Sequence, residues 1–113
     1  MSKKPETVLK EKLIRDIERL PGIYFFKTQQ RAKLGILDLI LCIRGRFVAI
    51  ELKKSSKDKL TSLQSYNVTR INSIGEGIAL ACDPSNYDEV LNIIKNLSGR
   101  KSVNRNISLV LSL

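Results

Sequence analysis

A single carboxylate, Asp38, interrupts an otherwise apolar run that extends from Ile36 to Ile43. Such a run is typical of a central β-strand whose two faces are both buried. A charge at that position is costly in free energy unless it is paired or bound to a metal ion. The chain must therefore fold in a way that gives Asp38 a partner.

The partner is predicted by the turn that follows. Arg44-Gly45 is typical of a tight turn, after which the segment 46–53 returns as the neighbouring strand. In such a hairpin, each residue before the turn faces the residue that lies equally far after it. This register places Asp38 opposite Glu51, with Lys53 two residues further along the same face.

Two carboxylates that face each other repel and destabilise a sheet. Asp38 and Glu51 are best explained by a hard divalent cation between them. Mg²⁺ suits this site, because it binds carboxylate oxygens and water and completes its shell with phosphate. The alternative is that Lys53 neutralises one carboxylate while the other is solvated at the strand end.

The charge balance points to a polyanionic partner. The 113 residues include 20 lysines and arginines against 11 aspartates and glutamates, which gives a net charge of +9 and a pI near 9.8. This balance favours nucleic acid first and an anionic membrane surface second; the alternative is a solvated basic surface without a partner. The absence of histidine excludes Ser-His and Cys-His nucleophilic catalysis and a histidine-ligated metal site.

Apolar periodicity and turn residues predict the remaining elements. We expect helices over 5–20, 62–74 and 84–98, and strands over 23–28, 36–43, 46–53 and 78–82. Thr61 and Asp83 are the expected N-caps of the second and third helices. This order predicts an α/β fold with a mixed sheet flanked by helices. The length predicts one domain over 1–98, followed by a basic and then apolar tail over 99–113 that forms an extra strand or a dimer contact.

The chain lacks the patterns of secreted and membrane proteins. Its N-terminus is charged, and no apolar run approaches the ~18 residues of a membrane span. Cys42 and Cys82 lie far apart in apolar surroundings, so we expect both to be reduced and buried. These features predict a cytoplasmic protein that does not bind a membrane.

The acidic residues of this hairpin lie in a recognisable motif. Gly35-Ile36-Leu37-Asp38, twelve further residues and then Glu51-Leu52-Lys53 resemble the PD-(D/E)XK nuclease superfamily. The surrounding segment GILDLILCIRGRFVAIELKKSSKDKLTSLQ is most similar to its small VRR-NUC and Holliday-junction-resolvase-like members. The resemblance covers about residues 5–95, with an acid on the first helix and Gln64 early in the second. It departs from the family at Leu37, where proline is frequent.

The resemblance implies a restriction-endonuclease-like core and hydrolysis of DNA phosphodiester bonds. Asp38 and Glu51, with Glu6 as the third acid, would hold one or two Mg²⁺ ions, for which Mn²⁺ can substitute. The metal would lower the pKa of a bound water and stabilise charge on the scissile phosphate. Lys53 would position that water or neutralise the transition state. The resemblance also implies a homodimer.

Three further residues have alternative interpretations. Glu6 projects towards the apolar stripe of the first helix, while Glu11 points to solvent; the alternative is that Glu6 only favours the helix dipole. Gln64 belongs to the expected site, although a capping box with Thr61 also explains it. Asn67 lies in a stripe with apolar neighbours such as Leu63, where it faces the site or forms a local hydrogen bond.

Basic side chains near the site are natural contacts for DNA phosphates. These residues are Lys27, Arg31, Lys33, Lys54, Lys57 and Lys59. The six aromatic residues fall mostly on stripes that are expected to be buried, so we do not expect base stacking to be a main mode of binding.

Together these features predict a metal-dependent deoxyribonuclease, with a structure-selective or nicking endonuclease and a Holliday junction resolvase as the leading forms. The alternative from another class is a non-catalytic nucleic-acid-binding module of the same fold. A ribonuclease is a third alternative, but such families usually depend on histidine, which this chain lacks.

Overall fold

Three helices and four strands follow one another in the order expected from the sequence. The computed structural model describes residues 3–29 and 34–100. Its elements are α1 (Pro5–Ile17), β1 (Ile23–Lys27), β2 (Leu39–Ile43), β3 (Arg46–Leu52), α2 (Ser62–Ser73), β4 (Ile78–Cys82) and α3 (Tyr87–Ser98). None of the helices in this part of the chain is long and apolar enough to cross a membrane.

The four strands form one mixed sheet in the order β1-β2-β3-β4, so the α/β fold with a mixed sheet is confirmed. β1, β2 and β3 are successively antiparallel, and β4 pairs in parallel with β3 after the connection through α2. The hairpin register is the expected one, since Ile43 pairs with Arg46. Arg44 and Gly45 both have positive φ, at 51° and 86°, as a type I′ turn requires.

The two faces of the sheet are covered by different helices. One face carries the larger core, which α1 and α3 complete with residues such as Leu13 and Ile94. The other face carries a smaller core, in which Ala49 and Ala79 pack with Val68 and Ile71 of α2. Successive side chains of a strand point to opposite faces, so the face that α2 covers is also the face of alternate β3 residues such as Glu51.

Some boundaries differ from the expected ones. β2 begins at Leu39, so Asp38 precedes the strand instead of interrupting it. The first helix ends at Ile17. The third helix begins at Tyr87 rather than after a cap at Asp83. Asp83 instead forms a turn, in which its Oδ1 accepts a hydrogen bond from the Ser85 backbone N–H at 2.7 Å.

The two cysteines have different environments. Cys82 is fully buried, and burial raises the pKa of its thiol to about 11. Cys42 is exposed, so the expectation that both are buried is wrong for this residue. It lies on the face of β2 opposite to the larger core, at a position that α2 does not cover. Of the tail, only 99 and 100 belong to the described residues, so the expected strand or dimer contact lies outside them.

Gly35 joins the segment before Asp38 to the start of α2. Its φ is +68°, and a Cβ at this position would lie 2.4 Å from the Leu63 carbonyl carbon. Nδ2 of Asn67 donates hydrogen bonds to the carbonyl oxygens of Leu34 and Gly35, both at 2.9 Å. The open question about Asn67 is thus answered by a hydrogen bond that fastens this segment to α2.

Replacing Gly35 with alanine should lower the free energy of unfolding by about 2–4 kcal/mol, because left-handed backbone and a clash with α2 act together. Gly45→Ala is the matched control, since Gly45 has φ +86° but a Cβ added there would meet no atom within 4 Å. Urea denaturation of both variants measures the difference. Equal losses would mean that the close approach to α2 contributes nothing.

Candidate active site

Asp38 and Glu51 meet at the end of the β2–β3 ladder. The backbone N–H of Asp38 donates a hydrogen bond to Glu51 Oε1 at 3.1 Å, and the backbone N–H of Leu52 donates to Asp38 Oδ2 at 3.0 Å. Each acid is therefore held by the backbone of the opposite segment. The expected juxtaposition of the two carboxylates is confirmed.

Glu51 is a buried carboxylate with an unfavourable neighbour. Only 7% of the residue is exposed. Burial, and then the negative charge of Asp38, raise the pKa of Glu51 to about 7, while the charge of Lys53 opposes this rise. Without a bound cation the protonated form of Glu51 is therefore favoured far above the usual pH range of a carboxyl group.

Lys53 brings a positive charge to the same place. It is 8% exposed, and its Nζ lies 3.9 Å from Glu51 Oε2. Its backbone N–H donates to the carbonyl oxygen of Cys82 at 2.8 Å, which extends the pairing of β3 with β4. The parallel ladder thus fixes the backbone from which the lysine side chain reaches the acid pair.

Gln64 forms the helix cap that the sequence offered as one interpretation and also contacts Glu51. It completes the capping box of α2: its backbone N–H donates to Thr61 Oγ1 at 3.1 Å, and its Oε1 accepts from the Thr61 backbone N–H at 3.0 Å. Its Nε2 donates to Glu51 Oε2 at 2.9 Å. One amide therefore ties the start of α2 to the acid pair.

We expect Gln64→Ala to lower the free energy of unfolding by about 1–2 kcal/mol and to lower metal-dependent turnover by about 10- to 100-fold, because both the cap and the support of Glu51 are lost. Thr61→Ala is the control, since it removes the cap hydroxyl but leaves the amide that contacts Glu51. Urea denaturation and cleavage rates separate the two effects. Equal loss of turnover in both variants would contradict a specific role of the amide.

Glu6 does not complete a group of three metal-ligating side chains with this pair. Within residues 3–29 and 34–100, no three acidic, cysteine or histidine side chains lie close enough together to hold a metal ion. The reason is the sheet, because α1 packs against the face opposite to α2 and Glu51. The expected solvent-facing orientation of Glu11 is confirmed, because it forms an ion pair with Lys3 at 2.9 Å on the surface.

Glu6→Gln should therefore leave metal-dependent turnover near the wild-type value, in contrast to the expectation from the sequence. The measurement is a cleavage rate at saturating Mg²⁺, with Glu11→Gln as the matched control on the same helix. A strong loss in Glu6→Gln alone would show that α1 approaches the acid pair when metal and substrate bind.

The donor set fits Mg²⁺ even though it comprises only two carboxylates. Mg²⁺ is usually held by one or two carboxylates, while waters and substrate phosphates complete its octahedral shell. The Glu51 carboxylate accepts a hydrogen bond from the backbone of Asp38, and the Asp38 carboxylate accepts one from the backbone of Leu52, so the two acids lie side by side. A divalent cation between them would also remove the repulsion that raises the pKa of Glu51.

The basic residues divide into three groups. Lys54, Lys57 and Lys59 are exposed on the loop that connects Lys53 to α2, beside the acid pair. Lys27 lies instead on the α1 side of the sheet; the pKa of Glu11 is lowered mainly by the hydrogen bond from Lys3, and the charge of Lys27 adds a smaller effect in the same direction. Arg31 and Lys33 lie outside the described residues.

Several aromatic rings are exposed, contrary to expectation. The exposed fractions are 70% for Tyr24, 49% for Phe26, 47% for Phe47 and 61% for Tyr66. The sequence of β1 indicates that the first two of these rings share one face of the strand, because Tyr24 and Phe26 alternate with Ile23 and Phe25. What the sequence did not show is that none of the helices within residues 3–29 and 34–100 covers this part of the sheet, so alternation here separates a buried face from an exposed one.

Leu63 of α2 and Ile74, which directly follows this helix, are 47% and 57% exposed, so neither belongs to the core. Gln64 is the buried residue of this helix.

Comparisons with known proteins add no assignment to this geometry: no family model matches the chain, and no curated protein and no solved structure is significantly similar to it.

Proposed function

We propose that this protein is a metal-dependent DNA nuclease with a restriction-endonuclease-like core of the PD-(D/E)XK type. The observation that carries this proposal is the contact between Asp38 and the buried Glu51, with Lys53 Nζ 3.9 Å and Gln64 Nε2 2.9 Å from Glu51 Oε2. The motif that this part of the sequence resembles combines the same residue types, which supports the proposal. The mixed sheet and the helix that follows Glu51 are compatible with such a core.

In this proposal Asp38 and Glu51 hold Mg²⁺. The cation supplies charge neutralisation for the scissile phosphate and a water of lowered pKa. Leu52 and Gln64 keep the two carboxylates in place through their hydrogen bonds. Lys53 adds a positive charge beside the phosphate, where negative charge increases in the transition state. None of these roles requires histidine.

The charge distribution supports DNA as the substrate. The net charge is +9, and the exposed Lys54, Lys57 and Lys59 follow directly on the active-site lysine. These side chains are suited to bind backbone phosphates on either side of the cleaved bond, without reading the sequence. A homodimer, implied by the resemblance, stays a prediction that sedimentation can test.

A purely binding module explains the site less well. Two adjacent carboxylates repel the phosphates that such a module must bind, and burying Glu51 beside Asp38 is unfavourable, as its raised pKa shows. The adjacency of the two carboxylates and the burial of Glu51 are both useful when a cation binds between the two acids. The acid pair is therefore the observation that favours hydrolysis over binding alone.

A cleavage assay tests the proposed function. Supercoiled, linear, flapped and four-way DNA are incubated with the protein in Mg²⁺, Mn²⁺ or chelator. We expect cleavage in both metals and none in chelator. Preference for the four-way substrate would identify a resolvase. Preference for the flap, or a nicked product, would identify a structure-selective or nicking endonuclease. Tight DNA binding without cleavage of any substrate in either metal would favour the binding module.

A further inference from the structure

The exposed aromatic side chains lie on the same face of the sheet as the acid pair. Tyr24 pairs with Cys42, and Cys42 with Phe47; one step closer to the site, Phe26 pairs with Ile40. Paired residues share a face, and their neighbours along the strands belong to the larger core on the other side. We call the exposed surface made of Tyr24, Phe26, Cys42 and Phe47 the aromatic face; the half-buried Ile40, which packs against the smaller core, forms its border.

The aromatic face extends directly from the site. Ile40 lies two residues after Asp38 on the same side of its segment, and Phe26 is its partner on β1. With ~3.4 Å per residue and ~4.8 Å between strands, the Cα of Phe26 lies ~8 Å from that of Asp38, and the Cα of Tyr24 ~14 Å away. A DNA strand with its phosphate at the acid pair that runs along this side of the sheet would have its neighbouring nucleotides over these two rings.

We infer that the aromatic face binds an unpaired DNA strand next to the scissile phosphate, with successive bases stacked on Phe26 and Tyr24. This inference rests on the proposed nuclease function and specifies its substrate as DNA that is single-stranded on one side of the cleaved bond. Flaps, gaps and free single strands share this chemistry. Intact duplex does not offer it.

The spacing of the rings favours an unpaired strand. The ring centroids of Tyr24 and Phe26 are 6.4 Å apart, and the rings are tilted by 54°. Consecutive bases in a duplex are only ~3.4 Å apart along each strand. Bases must therefore leave the regular helix before each can cover one ring. Exposed aromatic rings on a four-stranded sheet are also an established way to stack two or three unpaired bases.

Area and charge argue against a second copy of this chain as the occupant. An aromatic residue buries about 150–250 Å², so the exposed parts of three such rings amount to on the order of 300 Å². A stable protein interface takes about 800 Å² from each partner. Each copy also carries a net charge of +9, which repels another copy and attracts a polyanion. The size and charge of a short DNA strand match this surface better.

The test compares one double alanine substitution with a single alanine control by fluorescence anisotropy in chelator, where cleavage does not interfere. Probes are a single strand, a flapped duplex and a blunt duplex of equal length. We expect Tyr24→Ala/Phe26→Ala to weaken binding of the single strand and the flap by at least about tenfold and binding of the blunt duplex by far less. Tyr66→Ala is the matched control, because Tyr66 is equally exposed but lies on α2. Tyr24→Phe/Phe26→Tyr should restore binding.

A crosslinking measurement locates the contact. Flapped DNA with 5-iodouracil one or two nucleotides from the expected scissile phosphate should crosslink to the tryptic peptide 20–27, which contains both rings. Crosslinking elsewhere, or single-strand binding that is unchanged in Tyr24→Ala/Phe26→Ala, would overturn the inference while leaving the nuclease proposal intact.

Two other outcomes are distinguishable. If sedimentation shows that wild type is dimeric and the double variant monomeric, the aromatic face is a protein interface and the inference is overturned. If the double variant loses single-strand binding as expected but wild type cleaves no substrate in Mg²⁺ or Mn²⁺, the surface assignment is supported and the nuclease function fails.

Discussion

Asp38→Asn and Glu51→Gln should each reduce Mg²⁺-dependent cleavage of DNA by about a thousandfold or more, while DNA binding in chelator is retained or strengthened. In the proposed function, each substitution removes one of the two charges that would hold the cation, and with it the stabilisation of charge on the phosphate. Each also removes a negative charge that repels DNA. Cleavage rates at saturating DNA and anisotropy in chelator measure the two effects separately.

The matched control is Glu76→Gln, because Glu76 is an exposed acid whose ion pair with Arg46 at 3.3 Å has no contact with the site. Its cleavage rate should equal that of wild type. Both variants of the acid pair should remain folded by circular dichroism, since amide groups can still form some of the hydrogen bonds at this site. Undiminished cleavage by Asp38→Asn and Glu51→Gln would show that the acid pair is not the catalytic site.

The hairpin could be predicted from the sequence because its physics is local. Arg44-Gly45 allows a two-residue turn with positive φ at both positions, and this turn fixes the register that brings Asp38 to Glu51. The capping box at Thr61 and Gln64 is local in the same way, and both of its hydrogen bonds form. Alternation and turn chemistry were sufficient to predict these contacts.

Features that depend on which helix covers which face could not be predicted in this way. The apolar stripe of α1 showed that Glu6 is near the sheet side of the helix, but not that α1 lies on the face opposite to Glu51. Cys42 and Phe26 looked like core residues because they occupy apolar strands, and they are exposed because α2 covers only part of its face. Helix placement is a property of the whole sheet, so it has no local sequence signal.

The raised pKa of Glu51 predicts that Mg²⁺ binding and cleavage depend steeply on pH below neutrality. Burial and the charge of Asp38 raise this pKa from 4.5 to about 7, and the cation binds the ionised form. The ionised fraction falls about tenfold for each pH unit well below the pKa. We therefore expect the apparent Kd for Mg²⁺ to be about tenfold weaker at pH 5 than at pH 6, and proton release when metal binds near pH 6. Calorimetry in buffers of different ionisation enthalpy measures both.

The raised pKa of Glu51 also determines how the stability of the metal-free protein changes with pH. A carboxyl group whose pKa is higher in the folded state binds more protons folded than unfolded between pH 4.5 and about 7. The free energy of unfolding must then fall as the pH rises through this window, and Glu51 accounts for about 1–2 kcal/mol after allowance for solvent screening. The difference in free energy of unfolding between wild type and Glu51→Gln, measured by urea denaturation, isolates this contribution from that of other acids. Mg²⁺ should offset the loss of stability at pH 8 by binding the folded state. If the free energy of unfolding of wild type minus that of Glu51→Gln increased with pH, the prediction would be wrong. Glu51 would then be stabilised as a carboxylate without metal.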